Sequence, residues 1–121
     1  MSYDDFVMFI RTADLDRSEE FYGGQLGLER VLDQGSCRIF RVSGSGFLGV
    51  CTGQASPEGV VITLVTRDVR ERCDELARSG VIFERPVAYN ADLDITHAFL
   101  RDPDGHLVEI QRFESGDWPS A

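Results

Sequence analysis

The side chains best suited to chemistry in this chain gather around one hairpin. Glu109 closes the run Asp102-Pro103-Asp104-Gly105-His106-Leu107-Val108-Glu109, and His97 lies on the strand leading into it. A carboxylate set among apolar strand residues suits general acid–base work, a counter-ion for a cationic ligand, or one position in a metal shell; His97 is a second candidate base. A structural reading stands beside these, in which Glu109 pairs with Arg38 or Arg101 and does nothing further. His106, directly after the turn, reads as a solvated strand residue. Cys37, Cys51 and Cys73 are odd in number and far apart, with no CxxC pair and no histidine at ligand spacing, which reads as buried, reduced thiols. All 12 basic residues are arginine. Schiff-base chemistry and a phosphate-loop lysine are therefore excluded.

The hairpin decides which side chains share a face. Pro103 sets φ for the first turn residue, and Gly105 can take the left-handed conformation that closes it. Period-2 alternation puts Leu107, Glu109 and Gln111 on one face and Val108 and Ile110 on the other. With a glycine bulge in the turn, His97, Phe99 and Arg101 join the face of Glu109; without it, Ala98 and Leu100 do. The same logic in the first half selects Arg38, Phe40, Leu48 and Val50, with Val7, Phe9, Val61 and Thr63 from the two opening strands. These residues describe an apolar, aromatic lining with few polar anchors, which is how small-molecule sites are built. They equally describe the filled core of a small barrel.

The elements that carry these residues are written twice. A strand, Phe6 to Ile10, and a helical segment open the first half; a strand, Val60 to Val65, and a second helical segment open the other. Asp14 matches Asp68 at an offset of 54. Asp16 with Glu19 and Asp68 with Glu71 read as helix starts, and Gly27 and Gly80 as stops. Three strands follow each helix: Leu28 to Leu32, Cys37 to Val42 and Phe47 to Cys51, then Ile82 to Arg85, His97 to Arg101 and Leu107 to Arg112. The chain is thus one α+β domain of two βαβββ modules, residues 5–53 and 60–113, with a linker at 54–59 and a tail at 114–121. The closing hairpins align at an offset of 59, Ser43-Gly44-Ser45-Gly46 against Asp102-Pro103-Asp104-Gly105. A half this small cannot bury its own sheet.

A βαβββ repeat with Asp14-Leu15-Asp16-Arg17-Ser18-Glu19-Glu20-Phe21-Tyr22, Leu26-Gly27-Leu28 and the Asp102-Pro103-Asp104-Gly105 to Glu109 ending resembles the vicinal oxygen chelate superfamily. That is the group of glyoxalase I, extradiol dioxygenases and the fosfomycin- and bleomycin-resistance proteins. The resemblance implies eight strands curled into two half-barrel sheets around a cavity, usually completed in a homodimer. In metal-dependent members it also implies four ligands, on the first and last strand of each half. The matching positions here are Val7, Val61 and Glu109, with Val50 the fourth at the 59-residue offset. Valine has no lone pair, and one carboxylate does not retain a divalent ion against water. No metal and no other cofactor is therefore expected.

Composition narrows the partners. The formal net charge of −9 disfavours nucleic acid and anionic membrane surfaces. No apolar run is long enough to span a bilayer, and the acidic start carries no secretory signal, so the expected location is cytoplasmic. The leading expectation is a metal-free, homodimeric protein that binds a small molecule, in the manner of the bleomycin-resistance branch. The alternative is a glyoxalase- or dioxygenase-type lyase or isomerase, with Glu109 as acid–base group or metal ligand.

Overall fold

The computed structural model describes residues 3–116 and 118; the end of the expected tail lies outside them. The chain divides into two compact units, one reaching to Glu58 and including Asp102–Gly105, the other formed by Gly59–Arg101 and the residues from His106 on.

In the first unit, β1 (Phe6–Thr12) leads into α1 (Leu15–Glu19), which continues as a π-helical turn over Glu20–Gln25, followed by β2 (Glu29–Asp33), β3 (Cys37–Ser43) and β4 (Gly46–Thr52). The sheet order is β1-β4-β3-β2, with β1 parallel to β4 and the other pairs antiparallel. Asp14 caps α1, accepting a hydrogen bond from the Arg17 amide at 3.1 Å. The cap therefore falls two residues before the expected Asp16. Tyr22 is fully buried, and its hydroxyl donates to Asp102 Oδ2 at 2.7 Å. Asp104 accepts from Arg17 at 2.7 Å and Ser18 at 3.3 Å. The carboxylates of the Asp-Pro-Asp-Gly turn are thereby committed to holding it against α1.

The second unit repeats the plan with β5 (Val61–Val65), α2 (Val69–Arg78), β6 (Phe83–Asn90), β7 (Ile95–Arg101) and β8 (Leu107–Phe113), in the order β5-β8-β7-β6. Val69, Cys73 and Leu76 recur at helical spacing and are buried. On the sheet, Ile62, Ala98, Leu100, Val108 and Ile110 are buried too. Gly80, at φ 100°, ends α2 in the left-handed conformation expected of a helix-stopping glycine. The two modules thus form two mixed four-stranded sheets, each with its own helical segment, in the expected α+β class.

Register corrects the lining assigned to the first module. Arg41 pairs with Phe47, and sixty residues on Arg101 pairs with Leu107, so the hairpins superpose at 60 rather than 59. A one-residue slip moves every side chain of a strand to the other face. Val7 and Phe9 lie in the rows of Phe47 and Gly49, whereas Arg38, Phe40, Leu48 and Val50 lie in the alternate rows with Met8 and Ile10. Phe40, Leu48 and Val50 are core residues of the first unit. Arg38 reaches α1, pairing with Asp16 and Glu19 at 2.9 Å each.

Candidate functional site

Glu109 sits on β8, between β5 and β7. The register places Thr63 on one side of it and Phe99 on the other, and in the next row on this face Gln111 lies between Val65 and His97. Gly105, at φ 93°, provides the turn conformation that brings His97, Phe99 and Arg101 into register with Gln111, Glu109 and Leu107. Of the two faces the sequence left open, this is the observed one. Val61 shares it, paired with Leu107.

The polar groups on this face form a closed set around one carboxylate. Thr63 donates its hydroxyl to Glu109 Oε1 at 2.8 Å. Gln111 donates an amide N–H to Oε2 at 2.8 Å, and His97 Nδ1 meets the same oxygen at 2.6 Å. A carboxylate accepting from three donors is a well-satisfied buried charge. The Glu109 side chain is 10% exposed and that of His97 is 17% exposed. Phe99 stands edge-on to the His97 ring, with centroids 4.9 Å apart, and the Arg85 guanidinium lies 5.7 Å from the Phe99 centroid.

Several expectations change. Glu109 takes neither Arg38 nor Arg101 as its partner; Arg101 makes a two-pronged pair with Glu84 at 3.0 and 3.1 Å, which holds the Glu84 carboxyl below its usual range. His106 is buried rather than solvated. Cys37 and Cys51 are joined in a disulfide across the β3–β4 pair, so only Cys73 is free. The pairing follows from the register that sets the two cysteines opposite each other, which cysteine spacing alone does not reveal. Burial pushes the Cys73 thiol up to about 11, which makes it a core residue rather than a nucleophile.

The first module answers each member of this set differently. By register, Phe9 stands where Thr63 does, Gly49 where Glu109 does, and the Cys37–Cys51 disulfide where His97 and Gln111 do. A Cβ at Gly49 would overlap the Phe9 ring, so the aromatic ring lies directly over the glycine. At the corrected offset, the fourth ligand position that the resemblance implied falls on Gly49 rather than Val50. Val7, Gly49 and Val61 have no donor side chain, and the oxygens of Glu109 are taken by Thr63, His97 and Gln111. These residues do not fit a divalent ion.

A model of the Glyoxalase/Bleomycin resistance protein/Dioxygenase superfamily matches residues 5–110. No curated protein matches the chain by sequence. Among solved structures, a glyoxalase/bleomycin resistance protein/dioxygenase from Nocardioides superposes with a TM-score of 0.78 at 17% identity, covering 100% of this chain and 89% of the other. A lactoylglutathione lyase from Agrobacterium tumefaciens gives 0.76 at 21%, covering 93% and 95%. TioX from Micromonospora sp. ML1 gives 0.77 at 20%, covering 90% and 98%. At these identities the likeness is one of fold.

Proposed function

For a chain that belongs to the Glyoxalase/Bleomycin resistance protein/Dioxygenase superfamily, we propose a metal-free protein that binds a small organic molecule. Its contact surface is the face of the second sheet carrying Thr63, His97, Phe99 and Glu109. The observation that carries this reading is the saturation of Glu109: both its oxygens are engaged by side chains of its own sheet. Such a carboxylate serves as a fixed polar anchor in an apolar surface, the usual make-up of a small-molecule site. Drug sequestration of the bleomycin-resistance kind is the nearest functional model.

A second reading is a lyase or isomerase that moves a proton. It is favoured by the 2.6 Å contact between His97 and Glu109, since a carboxylate behind an imidazole orients the ring for proton transfer. Turnover of a substrate separates the two readings.

The same proposal includes a homodimer, with neither nucleic acid nor membrane as partner, in keeping with the charge of −9. Among the described residues no helix is long and apolar enough to cross a membrane. A cytoplasmic location is part of the proposal, and the Cys37–Cys51 bond supplies its test, because disulfides persist in oxidising compartments. Protein alkylated at the moment of lysis should carry both thiols free in a cytoplasmic setting; a quantitative bond would place the chain elsewhere.

Native mass spectrometry with added zinc, nickel or manganese, before and after chelator, tests the central claim. The expected result is a protein that retains no ion and holds an organic adduct when isolated with one. A stoichiometric, chelator-removable ion would instead overturn the metal-free reading.

A further inference from the structure

The polar set around Glu109 also specifies what its ligand must present. Resting on the reading of this face as a binding surface, we propose that it selects ligands with a hydroxyl donor on an aromatic body, received by Nε2 of His97. The argument runs through proton positions. Gln111 can only donate through its amide nitrogen, so Glu109 Oε2 is an acceptor, and it lies 2.6 Å from His97 Nδ1. That contact keeps the proton on Nδ1. A neutral imidazole carries one N–H, so Nε2 is left with its lone pair. Nε2 has no hydrogen-bond partner among the described residues, and the side chain is 17% exposed.

Charge and shape narrow the class further. An anionic ligand at Nε2 would approach the Glu109 carboxylate, while Arg101, on the same face, is held by Glu84. A neutral donor meets neither difficulty. The rest of this face is mainly apolar: Phe99 edge-on to the imidazole at 4.9 Å, with the Arg85 guanidinium 5.7 Å from its ring centroid, and Val61 and Leu107 beside it. An aromatic ring stacks or edges well against such a surface while its hydroxyl reaches the nitrogen. A ligand of equal shape without the donor leaves Nε2 desolvated and unpaired.

Two measurements on the intact chain test this. Long-range proton–nitrogen NMR reads the tautomer of each of the two histidines, with His97→Phe assigning the signals. The expected tautomer of His97 is Nδ1–H with a bare Nε2. Backbone-amide titrations with 4-methylphenol and with 4-methylanisole then compare donor with non-donor. The phenol should bind about tenfold more tightly, and His97→Phe should erase the difference. An Nε2–H tautomer, or an ether bound as tightly as the phenol, overturns the inference and leaves the binding surface standing. Silence of residues 61–65, 97–101 and 107–111 toward both probes at millimolar concentration overturns the binding surface as well. Should His97→Phe not fold, the tautomer is assigned by His106→Gln and decides the matter in the native protein.

Discussion

At the scale of single residues, Glu109 is an internal anchor of its own sheet. Its three donors come from three places in the sheet, Thr63 on β5, His97 on β7 and Gln111 on β8 itself. Glu109→Gln can keep the His97 and Gln111 bonds on its carbonyl while the Thr63 hydroxyl rotates to accept. It should cost about 1 kcal/mol in urea denaturation, the difference between charge-assisted and neutral hydrogen bonds. Glu109→Leu leaves three donors without an acceptor and should cost about 3 kcal/mol. A neutral or stabilising Glu109→Leu would mean the cluster holds nothing. Cys73 offers a control elsewhere in the same unit. With its thiol pushed up to about 11, roughly one thousandth is ionised at pH 8, so iodoacetamide should label it slowly until the protein is denatured. Rapid labelling of the folded chain would place Cys73 outside the core. The place of Glu109 on the face of its strand was legible from the turn before it. Its partners were not, because Thr63 and His97 meet it only through register, and long arginines looked like the readier counter-charges.

At the scale of elements, the two hairpins carry the difference between the modules. Their turns both end in glycine, and aligning those glycines gives the offset of 59 that puts Val50 opposite Glu109. The strands pair at 60 instead, and with a side-chain period of two that single residue exchanges lining for core. Most strand and helix positions and the glycine stops were readable because alternation and chain punctuation are local, whereas β6 runs on to Asn90, well past the expected Arg85. The facing of β3 and β4 was not, since hairpin register depends on where a bulge falls. The corrected register makes a testable pair of Phe9 and Gly49. Gly49→Ala forces the Phe9 ring off its seat and should cost about 1–2 kcal/mol. In Phe9→Ala the seat is empty, and the added methyl group should then cost much less. A double-mutant cycle by thermal or urea unfolding should therefore give a coupling of about 1 kcal/mol. Additive effects would show that the ring does not sit over the glycine in solution.

At the scale of the whole molecule, the question is what covers the apolar side chains that the sheets leave exposed. Phe9 is 55% exposed, Val61 49% and Val65 47%, and all three lie on the sheet faces opposite the buried rows. Phe9 belongs to the first unit, Val61 and Val65 to the second. A second copy of the chain can cover such side chains, and burying apolar area returns about 25 cal/mol per Å². Each copy also brings a formal charge of −9, so association works against a repulsion that salt screens over about 10 Å at 0.1 M. For the proposed homodimer, both effects predict an association that tightens with ionic strength. Light scattering should find twice the 13.5 kDa chain mass at moderate salt, with dissociation on dilution into low-salt buffer. The melting temperature should rise with protein concentration, as it does when only the folded dimer buries the surface. Phe9→Ser should weaken the dimer while leaving the ligand face of the second sheet intact, so small-molecule binding measured on the monomer would report whether one chain suffices for it. A chain that stays monomeric at every salt and protein concentration would overturn the proposed homodimer.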